Sequence, residues 1–276
     1  MRILVTGAAG GLGRAFVNGV PSHHDVVALS HEELDVGDHH SVTAAVAAIG
    51  PDLIVNAAAF TAVDTNEADP ARAFRDNAQG PQSLALAARR AGAVLLHIST
   101  DYVFDGEKGA PYDETDRPRP LSVYGRSKLA GERFVREALP EHVIVRTGYV
   151  FGGGGDFLSR QVARLAAGEE VSGLEDRTGS PTYVVDLAER LIPLVLSGRP
   201  GTYHLAGPEP VSWFEVLQRC ARIGSFHGPV SPQRAVDLDL AAPRPRDSGL
   251  VSVFVENLSI PALPPLDDAL ARMLAR

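Results

Sequence analysis

Arg2-Ile3-Leu4-Val5-Thr6-Gly7-Ala8-Ala9-Gly10-Gly11-Leu12-Gly13 decides the fold. Residues 2–6 are a short apolar run with β-branched side chains, the pattern of a buried strand. The run feeds directly into glycines at 7, 10 and 13, and a helical pattern follows through Val20. Glycines at this spacing permit a tight turn, close approach of the backbone to a pyrophosphate, and close packing of helix on strand. The helix N-terminus adds unpaired N–H groups and the positive end of its dipole. A glycine cluster alone is more often just a turn. Between an opening strand and a helix it predicts dinucleotide binding by Gly7, Gly10, Gly11, Leu12 and Gly13. The fold expected is α/β, a Rossmann-type doubly wound, mostly parallel sheet.

Moving outward, residues 25–29 read as a second strand. An NAD-binding chain would carry an acid near its end for the ribose. Here Ser30 and His31 occupy that place, and the first carboxylates are Glu32 and Glu33. Without that acid nothing repels a 2′-phosphate, so NADPH is expected, with NADH as the alternative and His31 as the only basic candidate. Asp35, followed by Val36, is placed to reach the adenine amino group. Residues 41–49 form an amphipathic helix, and residues 52–59 a third strand. That strand ends in Ala57, Ala58 and Ala59, whose small side chains let a cofactor approach the backbone at the ligand-binding end of the sheet. Residues 64–90 read as largely helical, with Pro70 and Gly80-Pro81 starting or breaking helices. Residues 93–99 are a fourth strand, which brings the Thr100 hydroxyl to the same edge as the glycine loop. Residues 107–122, rich in proline and charge, read as a substrate-covering loop.

A helix then opens at 124 and runs to about 139. Tyr124 and Lys128 lie four apart and share one of its faces. An ammonium near a phenol favours the phenolate and lowers its pKa, which makes the pair a proton donor and acceptor. By itself this spacing is common on solvated faces; its weight comes from the dinucleotide motif upstream.

Composition narrows the classes. With 276 residues, 45% hydrophobic and 22% charged, the chain is an ordinary globular one. A net charge of −8 argues against nucleic acid or an anionic membrane as partner. One cysteine, Cys220, permits no intrachain disulfide and no cysteine metal site, and no metal is expected. The longest apolar stretch is interrupted by Arg89 and Arg90, so no membrane span is expected. The N-terminus shows no signal-peptide layout, and the expected location is cytoplasmic.

In order, the glycine-rich opening, Asn56-Ala57-Ala58-Ala59, the Ser99-Thr100 strand end and the Tyr124/Lys128 pair resemble an extended short-chain dehydrogenase/reductase. Four stretches are more narrowly similar to the dTDP-4-dehydrorhamnose reductase family: residues 56–64, 99–106, 179–183 and 201–207. The similarity thins after about Val216 and returns near 244–248. The resemblance implies a nucleotide-sugar substrate whose C4 ketone is reduced. Tyr124 would be the proton donor, Lys128 its helper and a holder of the nicotinamide ribose, and Thr100 the hydroxyl that orients the carbonyl. Asp101 and Tyr102 would lie at the sugar. The chain departs from the family where tryptophan is usual (Tyr149), where Asp-Gln is usual (Asp176-Arg177), and where Asn-Phe is usual (Asp156-Phe157). Tyr149 and Arg177 are therefore candidate substrate contacts that bear on which sugar is bound. Rival readings are a sugar-nucleotide epimerase of the same fold and a non-catalytic regulatory subunit like that of methionine adenosyltransferase. A 4,6-dehydratase would need a glutamate where Tyr102 stands.

The expected division is a dinucleotide domain over 1–151 and a mainly substrate-binding lobe over 152–276, with some segments returning to the sheet. Gly152 to Gly155 read as a flexible boundary. Residues 157–167 read as a helix bearing Arg160 and Arg164, either phosphate ligands or solvated charges, and Arg244 and Arg246 carry the same ambiguity. His204 reads as structural. Trp213 and Phe214 follow the N-cap Ser212 and read as core. Residues 267–274 close the chain as a helix. The expected assembly is a monomer or homodimer.

Overall fold

The computed structural model describes residues 1–276. Its centre is a six-stranded sheet, every neighbouring pair parallel. The strands are β1 (Arg2–Thr6), β2 (Asp25–Leu29), β3 (Leu53–Asn56), β4 (Val94–Thr100), β5 (His142–Thr147) and, after four short strands described below, β10 (Gly201–His204). Their spatial order is β10-β5-β4-β3-β1-β2. The chain winds one way from β1 to β2 and the other way from β3 onward. The switch point therefore lies between β1 and β3, where a doubly wound sheet opens a ligand crevice.

Helices cover both faces. On one face, α2 (His39–Ile49), α5 (Gly80–Ala91) and α6 (Val123–Ala138) bury Val42, Leu84, Ala88 and Val135 against Leu4, Ile54, Leu95 and Ile144. On the other, α1 (Gly11–Gly19) and α8 (Val184–Leu196) bury Phe16, Leu187 and Leu191 against Ile3, Val5, Val55 and Val145. Alternate strand residues thus go to opposite cores, as the period of two requires. The later residues of α8 and β10 belong to this sheet structure. No helix is long and apolar enough to cross a membrane.

The remaining C-terminal elements form a separate core of their own. These are β6 (Val150–Phe151), α7 (Phe157–Ala166), β7 (Val171–Leu174), β8 (Thr178–Gly179), β9 (Thr182–Tyr183), β11 (Val211–Ser212), α9 (Trp213–Gly224), β12 (Val230–Gln233) and α10 (Leu266–Leu274). Phe151, Leu158, Val216, Cys220 and Leu270 are fully buried there.

Two segments differ from the sequence expectation, and a third, residues 64–90, keeps to it with an added π-helical turn. The third strand stops at Asn56 instead of running to 59, because the Asn56 side chain accepts the Ala58 N–H (3.1 Å) and turns the chain out of the ladder. Between α3 (Val63–Ala68), α4 (Pro70–Phe74) and α5 the path continues through a π-helical turn, Arg75–Gln79. Pro70 does start a helix, whereas Gly80-Pro81 simply begin α5, where proline's missing N–H costs nothing. The glycines at 152–155 are no slack hinge. Gly153 packs on Gly11, its carbonyl accepts from Arg14 (2.6 Å), and its N–H is held by the Asp156 carboxylate (2.9 Å).

Candidate active site

Gly7 turns the chain out of β1 with φ +68°, and an added Cβ would lie 2.6 Å from the Ala58 nitrogen. Only glycine allows both, so the loops after β1 and β3 meet backbone to backbone at the switch point. Gly10 caps α1 without a side-chain partner, and no acid stands in the first turn. An anion would meet bare N–H groups there.

Along this edge runs a groove in two parts. The first, about 280 Å³, is walled by Gly7, Gly10, His31, Asp35, Val36 and Ala57 to Ala59. Arg72, which stacks over Phe60 at 4.4 Å, also lines it. The second, about 470 Å³, shares Gly10, Ala57 and Ala59 with the first and adds Gly11, Leu12, Thr100, Asp101, Tyr124 and Lys128. Gly13 is buried beneath the loop, and Ser30 is turned aside with its N–H held by Glu33 (2.8 Å); neither lines the groove. A third cavity adjoins the second through Tyr102, Tyr149 and Trp213, and continues past Phe157 to Arg177 and Arg244.

Tyr124 stands one residue inside α6, which Ser122 caps by accepting the Gly125 N–H (3.1 Å). Asn77 of the π-helical turn donates to the Ser127 hydroxyl (3.1 Å), and the fully buried Glu132 pairs with Arg146 of β5 (2.7 Å). These contacts fix the helix on the sheet. The Lys128 ammonium donates to the Ile98 carbonyl (2.7 Å). Burial lowers its pKa to about 8, partly countered by the Glu132 carboxylate. Burial pushes the Tyr124 phenol up to about 12, against a downward pull from a hydrogen bond with Thr100. The lowering expected from the Tyr124/Lys128 spacing is therefore not found, because Lys128 is spent on a carbonyl while the phenol is desolvated.

Thr100 ends β4 and donates to Asp101 Oδ1 (3.0 Å) while accepting the Tyr102 N–H (3.2 Å). Asp101 also accepts from Ser248 (2.5 Å), a residue far along the chain. Tyr102 meets Tyr124 edge-on at 5.7 Å. Tyr149 takes φ 47°, an uncommon conformation for a side-chain-bearing residue, and stacks on Trp213 at 4.6 Å. Arg177 donates to the Asp176 carbonyl (2.7 Å), and its Nε is buried without a partner.

Several residues were not found from sequence. Trp213, read as core, walls two cavities. Arg72 and Ser248 also reach the site. Arg244, left open from sequence between phosphate ligand and solvated charge, lines the third cavity in an ion pair with Asp64 (2.6 Å). Asp156 does not face the third cavity; its carboxylate caps α7. Arg160 and Arg164 bond the Gly155 carbonyl and Glu169 and are surface charges. His204 is buried beside the carbonyls of Tyr112 and Val251, a structural role. The loop at 107–122 is tied down: Tyr112 bridges Leu250, and Glu114 accepts from the His204 and Val253 N–H groups.

A family model described as RmlD substrate binding domain matches residues 1–276. A dTDP-4-dehydrorhamnose reductase of Streptomyces griseus is 42% identical over 90% of this chain and 85% of its own. The chain belongs to the dTDP-4-dehydrorhamnose reductase family. Another relative, named a probable dTDP-4,6-dihydroxy-2-methyloxan-3-one 4-ketoreductase of Streptomyces antibioticus, is 39% identical over 91% of this chain and 86% of its own. Among solved structures, the dTDP-4-dehydrorhamnose reductase of Bacillus anthracis in complex with NADP superimposes with a TM-score of 0.96 at 33% identity. That match covers 99% of this chain and 98% of the other. As a reductase-family member, the chain places its Thr100, Tyr124 and Lys128 side by side along one groove.

Proposed function

We propose that the chain reduces the C4 ketone of a dTDP-linked 4-keto-6-deoxysugar with NADPH. The observation that carries this reading is the convergence of Thr100, Tyr124 and Lys128 between a dinucleotide-shaped groove and a third cavity lined by arginines and aromatic rings. The bare Gly10 cap and the open alanine strand end fit a dinucleotide pyrophosphate, and at the adenosine end Arg72 supplies positive charge and His31 a ring nitrogen for hydrogen bonding. When bound, the nicotinamide supplies the hydride. Tyr124 gives the proton to the developing alkoxide, Lys128 holds the nicotinamide ribose, and Thr100 orients the carbonyl oxygen. Asp101 and Tyr102 face the sugar. Tyr149 and Trp213 offer a stacked wall to the nucleotide, and Arg177 and Arg244 face its phosphates. Residues 1–151 form the dinucleotide domain and 152–276 mainly the substrate lobe, with α8 and β10 returned to the sheet. The named reductase relatives favour this over an epimerase, and the intact triad favours it over a regulatory subunit. The protein works in the cytoplasm, where NADPH is regenerated, as a monomer or homodimer.

The test is NADPH oxidation at 340 nm with enzymatically prepared dTDP-4-keto-6-deoxyhexose. Tyr124→Phe should retain NADPH binding and lose ~10²–10⁴-fold in kcat. Unchanged turnover in that variant would rule out the assignment.

A further inference from the structure

Thr100 has one hydroxyl proton and two lone pairs. In the structure the proton goes to Asp101 Oδ1 (3.0 Å), and one lone pair takes the Tyr102 N–H (3.2 Å). A ketone oxygen has only lone pairs to offer. With Asp101 ionised, Thr100 therefore meets the substrate oxygen acceptor to acceptor, and cannot orient it. We infer that Asp101 is a positioning residue which must carry a proton on Oδ1, so that it donates to Thr100 and turns the Thr100 hydroxyl toward the substrate. This inference rests on the reductase reading.

The hydrogen-bond count closes in that form. Oδ1–H fills the second lone pair of Thr100, whose own proton is released to the ketone, while the Tyr124 phenol, hydrogen-bonded with Thr100 in the structure, turns to give its proton to the same oxygen. Oδ2 still accepts from Ser248 (2.5 Å). The surroundings favour the neutral acid. Asp101 is 2% exposed and has no ion-pair partner. Tyr102 on its own turn, Tyr124 of α6 and Tyr149 after β5 face it with phenols, while Arg244 and Arg177 act on those phenols from farther out. Lys128 lines the same cavity but is bonded to Ile98. Burial pushes the Asp101 carboxyl up to about 6, even against the hydrogen bonds from Ser248 and Thr100. Anionic ligands in the adjoining cavities add to that rise.

Asp101→Asn imitates the protonated form at every pH. Its carbonyl keeps the Ser248 hydroxyl, and its amide donates to Thr100. The experiment measures kcat between about pH 6 and pH 9 for wild type and Asp101→Asn, alone and in a Thr100→Val background, with NADPH affinity by calorimetry as a check on folding. Wild type should lose ~10-fold per pH unit above the Asp101 midpoint, as one required proton dictates. In Asp101→Asn this limb should vanish, raising the ratio of kcat at high to low pH at least ~10-fold, with only the phenol limb of Tyr124 left. In the Thr100→Val background the substitution should leave the ratio unmoved. An identical alkaline limb in wild type and Asp101→Asn would overturn the inference, as would a ¹³C carboxyl titration of Asp101, with NADPH and dTDP bound, at the ordinary value of about 3.9. The reductase reading fails separately, if wild type oxidises no NADPH at any pH.

Discussion

Lys128 reaches the site at the expense of stability. Its ammonium is buried, and its pKa falls to about 8, below the ~10.4 of an unfolded lysine. The unfolded chain therefore binds more protons between those values, and wild-type stability rises with pH across that window. Lys128→Met removes this dependence. Its stability relative to wild type should be greatest near pH 7 and should decline from about pH 8 to ~10.4, as followed by urea midpoints. A difference that does not change with pH would show that the lysine is solvated and not poised. At the other end of the groove, sequence pointed to His31 alone as a basic group. The structure adds Arg72, which was invisible because it lies far along the chain from His31, in a segment that read only as helix. Arg72→Ala should weaken NADPH binding about 10-fold more than NADH binding, the weight of one charge-assisted hydrogen bond of ~1.5 kcal/mol. Equal losses for both cofactors, by calorimetry, would remove Arg72 from the 2′-phosphate.

Helix α6 shows what an element must satisfy to carry chemistry. A Cβ on Gly125 would lie 2.2 Å from the Tyr102 carbonyl oxygen, so glycine is what lets the Tyr124 helix touch the turn after β4. Gly125→Ala must displace backbone, and should cost ~1–3 kcal/mol and lower kcat together. Gly19→Ala, which meets no atom within 4 Å, is the matched control and should be neutral or stabilising by up to ~1 kcal/mol. Equal melting temperatures for the two variants would contradict the contact. At this scale much was legible. Short apolar runs marked the central strands, and the cap at Ser212 marked one helix start. What failed depended on tertiary partners. Asn56 ends β3 through its own side chain, and the π-helical turn exists to bring Asn77 to Ser127 and Phe60. Trp213 looked like core because a helix start with two aromatics has the same pattern whether its neighbour is protein or a cavity. Ser248 had no local signal, since its partner Asp101 lies 147 residues earlier.

For the whole molecule the question is how the C-terminal core is coupled to the sheet. Across this boundary the site is bonded through Ser248 to Asp101 and Arg244 to Asp64, the Gly153 loop packs on Gly11, and Trp213 sits on Tyr149. Cys220, the sole cysteine, reports on this core. It is fully buried on α9, the helix that Trp213 opens, and burial pushes its thiol up to about 12. A thiol reagent at neutral pH should therefore label it only when that core opens. A ligand that binds the closed form alone slows opening by the factor 1 + [L]/Kd, ~100-fold at one hundred times Kd. If the third cavity holds the nucleotide of the substrate, saturating dTDP should slow labelling on that scale, since Trp213, Arg177 and Arg244 all belong to the part that opens. NADPH, held mainly by β1, β3 and α6, should slow it much less. Strong protection by NADPH would mean that sheet and lobe open as one unit, and no protection by dTDP would mean that the nucleotide binds elsewhere.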